Sequence, residues 1–193
     1  WSYNALLELA PIIDYVVIHG YVTMNEAYKR DKSMLAMANE LKTISGGRIK
    51  IINTEYCPQG SLSEKEGTDA TAWGYGACVY FDGTRTVADN LCRCILNENI
   101  VCTNYFAAST GTNYSLCYLD EADNKYKPNA SGLALSLFQN YGKGNVVDFT
   151  LDGFTLEKKS DCSGVVIKDK DGYLNIILIN NTEDKDIYID FDF

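Results

Sequence analysis

Glu55, His19, Tyr21, Tyr56 and Tyr105 each stand at the end of an apolar run, and together they offer a carboxylate, an imidazole and three phenols. A carboxylate placed directly after a buried strand costs desolvation energy unless something uses or satisfies it. If all these strand ends meet, the set suits substitution at an acetal carbon: a nucleophile, hydrogen-bonding groups for hydroxyls, and flat rings for an apolar sugar face. Each residue also has a plainer role. Glu55 can meet a Lys or Arg at the solvent edge, a lone histidine is commonly packed or hydrogen-bonded, and tyrosine rings bury readily. Fourteen tyrosines make any single one weak evidence.

The runs that carry these residues read as strands separated by helices. Residues 1–10 have apolar side chains at helical spacing, and after Pro11 the run 12–18 is apolar apart from Asp14 and lacks polar alternation, which predicts a strand buried on both faces. A helix over 32–43 closes at Gly46-Gly47, and the run 48–53 continues through Thr54 to Glu55 and Tyr56 before Pro58 and Gly60 break it. A polar loop over 61–69 precedes a helical stretch over 70–96. The run 100–106 is a third strand, ending in Asn104, Tyr105 and Phe106, and a long polar loop extends from it to Pro128. A helix over 132–141 follows. Strand alternating with helix predicts an α/β fold with a parallel sheet, whose active site lies at the C-terminal strand ends. Beyond residue 145 the pattern changes to short strands at 146–149, 165–168, 174–179 and 186–191, divided by turns, which predicts an antiparallel tail.

Composition narrows the function classes. The 193 residues are 46% hydrophobic, enough for a substantial core, and the net charge of -9 with scattered basic residues argues against a nucleic-acid partner. No apolar run approaches the roughly 20 residues of a membrane span. Neither a nucleophile-elbow GxSxG segment nor a phosphate-cradling glycine loop is present. The seven cysteines lack the spacing of zinc ligands, so buried thiols acting as small hydrophobes are the expectation, and no metal site is expected. Sequons at Asn113, Asn129 and Asn180 leave the compartment open, with an extracellular location favoured over a cytoplasmic one.

In order along the chain, IDYVVIHGY, RIKIINTEY, IVCTNYFAAST, GLALSLFQNYGKGNVVDF and SGVVIKDKDGYLNIILINNTEDKDIYIDFDF resemble segments of the α-L-arabinofuranosidases, retaining glycoside hydrolases built on (β/α)8 barrels. The resemblance implies the sixth, seventh and eighth barrel strands, the last barrel helix and strands of a C-terminal β-sandwich. It thus divides the chain into 1–144, the C-terminal part of a (β/α)8 TIM barrel, and 145–193, part of an incomplete antiparallel β-sandwich. It implies Glu55 as catalytic nucleophile, with His19, Tyr21, Tyr56 and Tyr105 as substrate-binding or orienting residues, a carbohydrate substrate, and neither metal nor organic cofactor. The family's acid/base Glu, preceded by Asn at the fourth strand, has no counterpart here, so the expectation is that this chain does not turn over substrate by itself. Family members often assemble as homo-oligomers. The rival expectations are a carbohydrate-binding module, another retaining barrel glycosidase of different sugar specificity, and a structural domain that binds no sugar.

Overall fold

The computed structural model describes residues 3–20, 22–23, 27–59, 81–109, 115–150, 152, 161–182 and 185–192. Helix α1 (Tyr3–Leu9) ends beside Pro11, which cannot donate a helical hydrogen bond, and the chain turns into strand β1 (Tyr15–His19). Arg48 ties this turn to the next strand by donating to the Ile13 carbonyl and the Asp14 carboxylate, each at 2.6 Å. After β2 (Val22–Thr23), helix α2 (Ala27–Ser45) brings Met34, Ala38 and Leu41 to one buried face, the i, i+4, i+7 spacing of an amphipathic helix. Gly46 and Gly47 then take φ of 61° and 84°, left-handed values that stop a helix, and the Gly47 N–H donates to the Lys42 carbonyl at 3.0 Å.

Strand β3 (Lys50–Tyr56) lies between β1 and β5 (Ile100–Tyr105), parallel to both, as the alternation of strand and helix predicts. The short β4 (Pro58–Gln59) pairs in parallel with β2, so the chain does not leave strand geometry at Pro58 as expected. Proline is tolerated there because it opens the strand, where its missing N–H costs no interior ladder bond. Helix α3 (Phe81–Leu96) covers the later part of the expected helical stretch; residues 70–80 lie outside the described ones. Helix α4 (Ala130–Tyr141) starts behind Asn129, whose side chain accepts from the Gly132 N–H at 2.9 Å.

Beyond α4, strands β8 (Asn145–Val147), β9 (Cys162–Lys168) and β10 (Leu174–Asn180) form an antiparallel sheet in the order β10-β9-β8. Two apolar clusters share α3 between them. Leu6, Val16, Leu41, Ile51, Ile100 and Cys94 pack the outer side of the parallel sheet. Val87, Leu91 and Cys92 of α3 join Tyr56, Phe138, Val165 and Ile177 in the second cluster. Burying each such aliphatic side chain stabilises the fold by about 1.5–3 kcal/mol. A polar lock adds to this junction: the Asn181 carboxamide donates to Asp89 at 3.1 Å and Ser163 at 3.2 Å, and Arg93 holds Asp89 at 2.8 Å. Cys57, Cys92, Cys94 and Cys162 are buried, as the composition suggested. Burial, reinforced by the Asp89 charge, pushes the Cys92 thiol up to about 12.

Three other expectations are corrected. Strand β1 is not buried on both faces: Val16 is 3% exposed but Val17 is 51% exposed, because α1 and α2 cover one side and no described residue covers the other. The expected loop between residue 106 and Pro128 contains an antiparallel hairpin, β6 (Cys117–Asp120) and β7 (Lys125–Pro128). Its turn is stabilised by Asn124 at φ 54°, and Lys127 bonds Asp120 at 2.5 Å across the strands. Residues 186–191 do not form the predicted strand: Ile187 and Ile189 are partly exposed and Tyr188 is exposed, and no described strand accepts their backbone. Among the described residues no helix is long and apolar enough to cross a membrane.

Candidate active site

The site is built at the C-terminal tips of β1, β3 and β5, and its geometry depends on one extra residue. In the β1–β3 ladder Ile18 pairs with Asn53, yet the next residue, His19, pairs with Glu55, so Thr54 is inserted as a bulge. Side chains alternate along a strand, so regular pairing would put Glu55 on the same side as the buried Ile51 and Asn53. The bulge reverses that parity. Glu55 emerges on the open side opposite His19, and Tyr56 takes the buried side. The Thr54 hydroxyl donates to the Ile18 carbonyl at 3.2 Å and so anchors the inserted residue.

His19 Nδ1 lies 3.4 Å from Glu55 Oε2, with the two side chains 56% and 33% exposed. The carboxylate is therefore reachable by a ligand, with the imidazole close beside it. Exposure to water keeps the worth of such a pair within about 1 kcal/mol, so its value lies in placement rather than stability. Tyr56 is only 1% exposed and belongs to the second apolar cluster, the packed one of the two places a tyrosine at this strand end can take. Its ring meets that of Tyr105 edge-on, with centroids 5.3 Å apart. Tyr105 is half-buried beside it and occupies the matching register position on β5. Tyr21 lies outside the described residues. The structure thus brings together His19 and Glu55, sets Tyr105 edge-on against Tyr56, and turns Tyr56 away from the open face.

Asn53, Gly20 and Thr103 were not among the residues singled out by sequence. Asn53 is fully buried; its Oδ1 accepts from the Gly20 N–H at 2.9 Å and its Nδ2 donates to Thr103 Oγ1 at 3.3 Å. The available signal was a carboxamide inside an apolar run, two residues before the carboxylate. Among the described residues no group of three His, Cys, Asp or Glu side chains could hold a metal ion.

No protein-family model matches the sequence, and no curated protein matches it. Solved structures do match the fold. The α-L-arabinofuranosidase of Thermotoga maritima, solved with arabinose, superposes with a TM-score of 0.66 at 14% identity over 92% of this chain and 40% of its own. The family 51 arabinofuranosidase of Xanthomonas axonopodis pv. citri gives 0.61 at 13% identity with the same coverage. A family 51 α-L-arabinofuranosidase of Bifidobacterium longum gives 0.54 at 10% identity, covering 87% of this chain and 39% of its own. The chain thus spans about 40% of the length of these enzymes. In fold, this α/β chain is similar to a C-terminal part of a family 51 α-L-arabinofuranosidase.

Proposed function

We propose that Glu55 is the nucleophile of a retaining, arabinofuranosidase-like glycoside hydrolase, to which this chain contributes the last strands of a (β/α)8 barrel (1–144) and strands of a β-sandwich (145–193). The observation that carries the reading is the 3.4 Å approach of His19 to a partly exposed Glu55 at adjacent parallel strand tips, within a fold similar to arabinofuranosidases. In this scheme a Glu55 oxygen attacks the anomeric carbon as the glycosidic bond breaks and its electron pair leaves with the departing oxygen. A second carboxyl about 5–5.5 Å away protonates that oxygen and later activates water. His19 and Tyr21 would hold sugar hydroxyls or the Glu55 carboxylate, and Tyr105 would support them from behind. The residues that match the family's pattern do not include the acid/base Glu, so this chain performs at most the first half of the double displacement.

A substrate whose leaving group needs no proton isolates that half. Incubation with a dinitrophenyl α-L-arabinofuranoside should release one equivalent of phenolate and leave a pentosyl group on Glu55, seen by peptide mass spectrometry, and Glu55→Gln should show neither. Binding of the sugar without a covalent adduct would point to a carbohydrate-binding module instead. Absence of both binding and adduct would leave only a structural role for the domain.

A further inference from the structure

We infer that Asn53 is the positioning residue of this site: its buried carboxamide holds the tips of β1 and β5 against the bulge in β3 and thereby sets Glu55 opposite His19. The reasoning starts from the bulge. An inserted residue leaves a strand end free to settle in either of two parities, and only one puts Glu55 on the open face. Asn53 is the last β3 residue before the insertion and pairs with Ile18 on one side and Thr103 on the other. Its Oδ1 accepts from Gly20, the residue directly after His19, and Nδ2 reaches Thr103. The Gly20 N–H also lies 2.9 Å from the Glu55 carbonyl, so Gly20 bonds both residues that flank Thr54.

Gly20 is fitted to this role. A Cβ at that position would stand 2.8 Å from Asn53 Nδ2, so any larger residue there must displace the carboxamide. Full burial of an amide is unfavourable unless its polar atoms are bonded, and here both ends are used on neighbouring strands. An apolar residue would fill the same space at no such cost, so the pattern is explained by the register it enforces. Asn53 touches neither the proposed substrate position nor the Glu55 carboxylate; it acts through Gly20 and the backbone.

The inference rests on Glu55 being the working carboxylate, and its test separates the two ideas. His19 is the sole histidine of the chain, so its imidazole gives unambiguous 1H–15N signals. Glu55→Gln defines the ring shifts of a His19 that has lost its carboxylate neighbour. Asn53→Leu and Gly20→Ala should each move the ring signals to those positions while the amide signals of β8–β10 stay in place. In the dinitrophenyl furanoside assay both should slow Glu55 modification by about 100-fold, the scale of a 1 Å misplacement. Wild-type ring signals in folded Gly20→Ala or Asn53→Leu protein would overturn the inference. If Asn53→Leu does not fold, Gly20→Ala, which retains Asn53 but displaces its carboxamide, decides. Ring shifts as expected with no modification of wild-type Glu55 would uphold the positioning role and discard the nucleophile alone.

Discussion

Replacing Asn129 by Ala should destabilise the protein by about 2 kcal/mol, and the structure says where that energy resides. Asn129 has the extended conformation of an N-cap, with φ -80° and ψ -175°, and its Oδ1 satisfies the Gly132 N–H at the start of α4. Loss of such a cap costs about 1 kcal/mol. The same side chain donates through Nδ2 to the Ser115 carbonyl, and its backbone N–H donates to the Leu116 carbonyl at 2.8 Å, so it joins α4 to the segment leading into the hairpin. Removing the Nδ2 bond costs about another 1 kcal/mol, the usual net value of an intramolecular hydrogen bond, at a site that is 7% exposed. Asn129→Asp keeps the acceptor and should lose only about half as much. Urea unfolding followed by circular dichroism reads the change: at a slope of about 2 kcal/mol per molar, Asn129→Ala should lower the midpoint by about 1 M without altering the slope. A midpoint within 0.2 M of wild type, by our order-of-magnitude allowance of about 0.4 kcal/mol, or an equal loss in Asn129→Asp, would refute the reasoning. The same geometry excludes a glycan on Asn129, since the amide nitrogen that would carry it is buried and bonded.

Further outcomes follow from the titrating groups. Because burial raises the Cys92 thiol, the native state holds its proton to higher pH than the unfolded chain, so stability should fall between pH 9 and 12 by about 1.4 kcal/mol per unit. Alkaline denaturation of Cys92→Ala compared with wild type checks this, and equal slopes in both would contradict it. At the hairpin, Lys127 lowers the Asp120 carboxyl through a direct hydrogen bond and its own ammonium is raised by the same contact. The contribution of the pair is therefore present above the ordinary carboxylate range and lost as pH falls through the depressed Asp120 value. Amide signals of 117–128 should shift toward those of Lys127→Ala on acidification, and insensitivity to acid would count against the pair.

The order of strands and helices was legible because the apolar runs ending at residues 18, 53 and 106 lack the alternation of a half-solvated strand, and helical spacing fills the segments between them. Glu55 and His19 were legible as partners for a related reason, since each ends a run that must lie in one parallel sheet. The bulge at Thr54 was not legible. One inserted residue exchanges the faces of everything after it, and nothing in the side chains of Asn53, Thr54, Glu55 and Tyr56 announces the exchange. That is why the sequence leaves Tyr56 open between core and rim, and the bulge places it in the core. The hairpin β6–β7 was hidden by its polarity: its two strands pair antiparallel, but Lys125, Lys127 and Asp120 make it resemble an irregular loop. Over 186–191 the sequence suggests a strand, yet pairing requires a neighbour that no described element supplies.

The placement of β3 between β1 and β5 has a consequence for how the site comes apart. Edge strands fray first, because one row of their backbone groups already faces away from the ladder, whereas a strand bonded on both sides exchanges its amide protons only when larger units open. Glu55 sits on that inner strand while its neighbour His19 sits on β1, which among the described residues is paired on one side only. Thermal opening of β1 therefore withdraws the imidazole and leaves the carboxylate where it was, so the pair is broken from one side only and can re-form without a search for register.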